Sequence, residues 1–433
     1  MKVTLAGVTH CPGTDTTPPS SPESITAAYA RISRSPRAVS ELRRRAARDI
    51  ETARSFNRKI IFHLGHESVA EHAVFNIDVL GLSRLAVEAV EHSRLASYTE
   101  RSQRYVRIGS DFHIPTEFRE MNLSSDFAAL CRSQHHRYKT LVSTLKQSYS
   151  HQKAKEDARY ALGLATTTQL GMTINSRSLG MMLTRLDGHE LEECRSLAYK
   201  LRSVTGRIAR SLIRDRDDSI DRTDPIPDPG DSTGGESTPY PRLLWYTANP
   251  SDIIHSVLKY SSSSNPWSTS RGEHHQAPPY IVKGSKHPFP RALEAVQFAF
   301  ELCISASCFA QLKRHRMATI IPQQYDPSLG CTIPPTVVES GYSDLLLEGA
   351  TEAEDFMRRI TAPVSSVRSY PLLNAHRRRV LFIINARSFC NMIHLRMDRH
   401  AQWDIRDQTM KMRDLVASTI PGMNDFLPLP AAD

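Results

Sequence analysis

Three stretches of the chain gather side chains able to do chemistry. Ser97-Tyr98-Thr99-Glu100-Arg101-Ser102-Gln103-Arg104-Tyr105 brings hydroxyls, a carboxylate and arginines together with little apolar content. Forked guanidinium groups match phosphate oxygens and serine hydroxyls can complete the shell, so the stretch suits a nucleotide phosphate. A solvated polar loop would read the same way. Near the C-terminus, Arg396, His400 and Trp403 follow one another at helical spacing. On a continuous helix they share one face, and a cation, an imidazole and an indole there suit a flat, polar aromatic ligand. The competing reading is a tryptophan anchored in the core with charged stems around it. In the third stretch, Gly65 to His72, the two histidines stand six apart (His66 and His72). A zinc-binding helix needs them four apart on one face, so a capped turn with surface histidines competes. The run Arg377-Arg378-Arg379 reads as a solvated face. The sequence has no glycine-rich phosphate loop of either common type, and no Ser/His/Asp or reactive-cysteine context stands out.

The elements that must position these groups are mixed. Ser24–Arg31, Ser40–Phe56, Leu82–Arg94, Phe127–Tyr149 and Leu191–Ile213 carry helical spacing, and Ser388–Leu415 is helical at both ends. His72–Val79 alternates apolar and polar residues, the period of a half-buried strand, and Leu293–Phe300 resembles it. No strand–helix unit repeats, which predicts an α+β fold. Arg214 to Tyr240 is acidic, rich in Pro, Gly, Ser and Thr, and almost free of large apolar residues. Such a stretch buries too little apolar surface to offset its ordering entropy and reads as a linker. The predicted organisation is a first domain over 1–213, a linker over 214–240 and a second domain over 241–433.

The two halves echo each other. Arg94 and Arg316 close similar segments 222 residues apart, Asn175-Ser176-Arg177-Ser178 pairs with Asn385-Ala386-Arg387-Ser388 at an offset of 210, and Glu71 and Glu294 lie 223 apart. Kept order and a slowly drifting offset indicate an internal duplication. The 433 residues hold no long uncharged apolar run and open without a charged head followed by an apolar core, so neither a membrane span nor a secretory signal is expected. Seven scattered cysteines without a CxxC fit reduced thiols and a cytoplasmic protein. The formal charge of +9 would attract anions such as phosphorylated metabolites or a polyglutamylated cofactor. Nucleic acid is the competing partner that rests on charge alone, and it is not expected.

Together these segments resemble the flavin-dependent thymidylate synthases. That family's signature runs Arg-His-Arg, two residues, Ser, one residue, Asn-Glu, one residue, Ser, one residue, Arg-Tyr. The first half matches its end with Arg94, Ser97, Glu100, Ser102, Arg104 and Tyr105, but has His92 and Ser93 for Arg-His and Thr99 for Asn. The second half matches its start with Arg314-His315-Arg316, then departs at Thr319, Pro322, Gln324 and Asp326. The Gly65–His72 segment and Asn385-Ala386-Arg387-Ser388 with Asn391, Arg396 and His400-Ala401-Gln402-Trp403 are also similar to the family.

The resemblance implies two tandem copies of one domain, each a mixed or antiparallel sheet wrapped by helices. It implies FAD-dependent reductive methylation of dUMP to dTMP, with methylenetetrahydrofolate giving the carbon and NADPH recharging the flavin. Carried over residue by residue, Gln311, Arg314, Glu100, Ser102, Arg104 and Arg159 would bind the nucleotide. Arg396 would hold the pyrimidine and stabilise its developing charge. Arg314, His315, Arg316, Asn385, Arg387, Asn391 and His400 would hold FAD, with Ser68, Glu71 and Ser33 from the first half. Family members are tetramers, so two tandem chains should form a homodimer. The losses look complementary: the first half keeps Glu100, Ser102, Arg104 and Arg159 but has Ala89, His92 and Leu186 where the second keeps Gln311, Arg314 and Arg396. One intact type of nucleotide site, drawing on both halves, and one degenerate site are therefore expected. The alternatives are a flavin-dependent methylase or hydroxymethylase of UMP or dCMP, and a non-catalytic flavin- or nucleotide-binding relative.

Overall fold

The computed structural model describes residues 1–13, 19–214, 239–262, 291–361 and 365–428. Most of the expected linker, 215–238, lies outside the described residues. The chain forms two compact units. The first comprises Met1–Ala158, Leu162–Pro229 and Thr351–Leu372; the second comprises Arg159–Ala161, Gly230–Ala350 and Leu373–Asp433. Each unit is thus built mainly from one half of the sequence and takes a short segment from the other.

The first unit holds strands β1 (Lys2–Val8), β2 (Val74–Ser83), β3 (Ala96–Glu100) and β4 (Thr167–Asn175) in the order β1-β2-β4-β3. The second holds β5 (Arg242–Tyr246), β6 (Gln297–Ser305), β7 (Thr319–Pro322) and β8 (Arg377–Asn385) in the order β5-β6-β8-β7. Every pairing is antiparallel. The central registers match: Val74 faces Asn175 as Gln297 faces Asn385, and Ser83 faces Thr167 as Ser305 faces Arg377. The β2–β4 register slips between Leu80 and Leu82, where Gly81 has φ 74°. That extra residue is a bulge that glycine accommodates without strain, and it accounts for the offset falling from 223 (Val74 to Gln297) to 222 (Ser83 to Ser305).

Alternation sets the inner faces. Phe75, Ile77 and Val79 of β2 are buried while Asn76 and Asp78 are exposed, as expected from the sequence period. In the second unit Phe298, Phe300, Leu302 and Ile304 of β6 join Val380, Phe382 and Ile384 of β8 in one core. The helices Ala306–Leu312, Ala386–Arg396 and Trp403–Thr419 cover that core with Cys308, Phe389 and Met412. Ser40–Phe56, expected as one helix, is two, Val39–Arg48 and Ile50–Arg58. The break is at Asp49, whose non-helical backbone (φ −125°, ψ 81°) lets its side chain cap the second helix. No helix among the described residues is long and apolar enough to cross a membrane.

Candidate active site

Four helices that follow strands are capped at their starts in matched pairs, and two of them, Ala306–Leu312 and Ala386–Arg396, carry Gln311, Asn391 and Arg396. Ser83 and Ser305 end β2 and β6 and accept from the amides of Ala86 (3.0 Å) and Cys308 (2.9 Å). Asn175 and Asn385 end β4 and β8 and accept from Ser178 and Ser388, each at 2.8 Å. Two residues on from each asparagine, Arg177 pairs with Glu71 and Arg387 with Glu294, each at 2.6 Å. The side chain of Asn385, expected at the flavin, is therefore also a helix cap, and Glu71 and Arg387 are also partners in structural ion pairs.

The second unit brings Gln311, His315 and Arg396 together. Arg396 Nε donates to His315 Nε2 at 2.9 Å, Nη2 to the Gln311 carbonyl at 3.1 Å and Nη1 to Gln311 Oε1 at 3.4 Å. Burial, with Arg396 and Arg314 beside it, pushes the His315 imidazole down to about 3. A neutral ring can accept at Nε2, which a charged one cannot. Arg314 and Asn391 are exposed, and Arg316 and Arg387 are half-buried. Arg159 belongs to this unit as well. It is 2% exposed, and its carbonyl accepts from Asn374 Nδ2 at 2.9 Å.

Glu100, Ser102 and Arg104 lie in the first unit. Glu100 is the last residue of β3, so the polar stretch from Ser97 begins as an edge strand rather than a loop. Its carboxylate is buried against Arg84, and Arg104 pairs with the buried Glu156 while lying 5.4 Å over the Tyr105 ring. Ser102 Oγ accepts from the Arg104 amide at 3.1 Å. Ser33 and Ser68 are exposed, and Ser68 lies on the short helix Glu67–His72. Beside it a cavity of about 220 Å³ is lined by Ile61, Phe62, Glu67, Ala70, Arg177 and Met181, among others.

The structure corrects three expectations. Arg396, His400 and Trp403 do not share a helix: one helix ends at Arg396 and the next begins at Trp403. Asp398 turns the chain between them by accepting from the His400 amide at 2.8 Å, and Gln402 caps the second helix through the Ile405 amide at 3.2 Å. Asp and Asn favour such turns because the side chain competes for local amides. Arg378 is not on a solvated face. It is the second residue of β8, on the buried side, 4.0 Å over Tyr325 and 4.7 Å over Phe309, and donates to the Gln323 carbonyl at 2.8 Å. Finally, the first unit keeps a late arginine, displaced by one position from Leu186. Arg185 donates to the Ala89 carbonyl at 3.0 Å and to Ser93 Oγ at 2.8 Å, the positions equivalent to Gln311 and His315.

Sequence reasoning missed two buried acids. Glu193 accepts from the Tyr370 hydroxyl at 2.8 Å in the first unit, and Asp404 from the Tyr160 hydroxyl at 2.7 Å in the second. The offset of 210 already paired Tyr160 with Tyr370 and could have marked them.

The chain is similar to several known proteins. A flavin-dependent thymidylate synthase of Clostridium tetani is 31% identical over 207 residues, covering 45% of this chain and 81% of the relative. One from Geobacter sulfurreducens is 31% identical over 232 residues, covering 52% and 93%. The UPF0159 protein Ta1429 of Thermoplasma acidophilum is 22% identical over 433 residues, covering 85% and 87%. Among solved structures, a UMP/dUMP methylase PolB from Streptomyces cacaoi bound with 5-Br dUMP has a TM-score of 0.38 at 18% identity, covering 49% of this chain and 92% of that one. Thymidylate synthase X from Helicobacter pylori with FAD and dUMP has a TM-score of 0.36 at 20% identity, covering 49% and 98%. The family model for the thymidylate synthase complementing protein, Thy1, matches residues 15–209 and again 242–422, so the chain belongs to that family and carries its domain twice.

Proposed function

We propose that the chain is a flavin-dependent methylase of pyrimidine nucleotides whose reaction is the conversion of dUMP to dTMP. The observation that carries the reading is the Arg396 cluster of the second unit. Three hydrogen bonds to Gln311 and His315 hold this guanidinium before any ligand arrives. A donor fixed in advance stabilises charge developing on a pyrimidine without reorganising during the reaction. Gln311 and Arg159 bind the nucleotide in this reading, and Arg314 serves both nucleotide and cofactor. The relatives that carry the name flavin-dependent thymidylate synthase support the substrate and the cofactor.

The residues present fit FAD. Arg314 and Asn391 expose donors, and Arg387 is accessible beside Glu294 at the start of the helix Ala386–Arg396. Such a set suits a pyrophosphate and a polar ring system. His315, Arg316, Asn385 and His400, with Ser68, Glu71 and Ser33, complete the proposed set. When bound, the flavin supplies the hydride, is recharged by NADPH, and works with the carbon of methylenetetrahydrofolate. Ser102 and Arg104 are proposed separately as nucleotide contacts, and Glu100 orders their stretch through its pair with Arg84. A homodimer is the proposed assembly; full activity from a stable monomer in light scattering would remove it.

The test is reconstitution with FAD, chemical reduction, and addition of methylenetetrahydrofolate with dUMP, UMP or dCMP in parallel. Flavin oxidation and dTMP formation that depend on dUMP are expected. Lack of flavin uptake would refute the cofactor assignment, and turnover with UMP or dCMP alone would replace the substrate.

A further inference from the structure

A buried clamp recurs in both units. In the second, Asp404 is 4% exposed, and its Oδ2 accepts from Tyr160 Oη at 2.7 Å and from Ser305 Oγ at 2.6 Å. Gln402 Nε2 donates to the same phenol oxygen at 3.1 Å, and Trp403 stacks on the ring at 5.8 Å and 22°. The Tyr160 carbonyl accepts from the Ala375 amide at 3.1 Å. In the first unit, Glu193 is 1% exposed and accepts through Oε2 from Tyr370 Oη at 2.8 Å and Ser83 Oγ at 2.6 Å. The pairs Ser83/Ser305, Glu193/Asp404 and Tyr370/Tyr160 are counterparts in the duplicated halves. In each unit the tyrosine comes from the other half of the sequence.

The clamps differ in what they hold. The residue before Tyr370 is Ser369; the residue before Tyr160 is Arg159. Arg159–Ala161 is a single short turn, held through its backbone by Asn374 Nδ2 on the Arg159 carbonyl and the Ala375 amide on the Tyr160 carbonyl, and through its side chains by the clamp. Burying a carboxylate costs free energy unless its oxygens are hydrogen-bonded, and here two hydroxyls converge on one oxygen of Asp404. Burial pushes the Asp404 carboxyl up, while the Ser305 and Tyr160 hydrogen bonds and the nearby charge of Arg159 act the other way. The acid, the phenol and the arginine therefore form one electrostatic unit.

We infer that Asp404 is a positioning residue for Arg159: by anchoring Tyr160 it sets where the neighbouring guanidinium meets the phosphate of the nucleotide. The inference rests on the reading of Arg159 as a phosphate ligand. Glu193 holds an equivalent tyrosine preceded by Ser369 in place of an arginine, with His113 Nε2 at 3.7 Å from its carboxylate, so the first unit is a control for the Arg159 contact within the same molecule.

The full-length protein reconstituted with FAD is titrated with dUMP, and KM and kcat are measured in parallel. Asp404→Asn and Tyr160→Phe should weaken dUMP binding about five- to tenfold, less than the loss of a whole charge-assisted contact because the guanidinium is displaced and not removed, with kcat at saturation little changed. In an Arg159→Lys background Asp404→Asn should add no further loss, because both changes spoil the same contact. Glu193→Gln and Tyr370→Phe should lower the melting temperature without changing dUMP affinity. If all four clamp variants weaken dUMP equally, the clamps only hold the fold and the inference is overturned. The same holds if Arg159→Lys weakens binding but Asp404→Asn and Tyr160→Phe do not. Unchanged affinity in Arg159→Lys instead removes the phosphate-ligand reading itself. Should Asp404→Asn not fold, Tyr160→Phe against Tyr370→Phe decides the matter, since each deletes a single oxygen.

Discussion

The two units share strand order, central register, two helix caps, an arginine–glutamate pair and a buried acid–tyrosine clamp. They differ where ligands would be met. Gln311, Arg314 and His315 of the second unit stand where the first has Ala89, His92 and Ser93, and Asn391 where it has Met181. Conversely, Glu100, Ser102 and Arg104 of the first stand where the second has Pro322, Gln324 and Asp326. Features present twice are the ones folding needs: caps satisfy orphan amides, and register keeps each apolar face inward. Features present once include the residues proposed to meet ligands, beside structural ones such as the Gly81 bulge and the buried Arg378. Arg185 is the instructive intermediate. It reaches the same backbone carbonyl as Arg396 but meets a serine in place of a histidine, so a scaffold contact survives in a unit whose other ligand groups have changed.

The largest expected contrast lies at this pair. Arg396→Ala should lower kcat on the order of a hundred- to a thousandfold, as loss of a preorganised donor does, while FAD stays bound. Arg185→Ala should leave kcat near wild type. Equal losses would show that both arginines only brace their helices. Next in size, Arg104→Ala should raise the dUMP KM about tenfold through a lost charge-assisted contact. It should also lower the melting temperature, because the buried Glu156 loses its close partner and is left with Lys153 at 3.8 Å. A lower melting temperature with unchanged KM would leave Arg104 a purely structural residue.

A smaller contrast is one of pH. His315 is held neutral in the folded state down to about 3, against an ordinary value of 6.5. Below 6.5 the unfolded chain binds the proton more readily, so this contribution to stability is present at neutral pH and fades as pH falls from 6.5 towards 3. His315→Gln should flatten the fall in melting temperature between neutral pH and pH 4. Ser93→Ala, at the matching position, should leave that slope unchanged. An unaltered slope in His315→Gln would place the acid sensitivity elsewhere.

Much of this plan was legible because duplication writes the same constraint twice. The α+β class, the strand at β2 and the long helices followed from periodicity, and the offsets of 222 and 210 already tied the strands of one sheet to their counterparts in the other. Three features escaped, for identifiable reasons. Helical spacing across Arg396–Trp403 hid the Asp398 turn, since periodicity is blind to a side chain that takes a backbone amide. Arg378 was misjudged because charge runs are usually solvated, whereas a strand sends alternate residues inward and two aromatic rings receive this one. The exchange of Arg159–Ala161 and Thr351–Leu372 between halves leaves no local signal, because a segment's own pattern does not say which core it joins.

The smallest expected effect concerns Asp326, the counterpart of Arg104. Its carboxylate accepts from the Ser328 amide at 2.8 Å and so caps the short turn Pro327–Leu329. A residue that caps a local turn and stands outside the proposed ligand groups should matter only to stability. Removing such a cap typically costs about 0.5–2 kcal/mol, and a short exposed turn belongs at the low end. Asp326→Ala should therefore lower the melting temperature slightly and leave both KM and kcat for dUMP unchanged, whereas Asp326→Asn, which can still accept from Ser328, should restore the stability. A substantial rise in KM from Asp326→Ala would mean that this stretch of the second unit still meets the nucleotide. The division of ligand groups between the two units would then have to be redrawn.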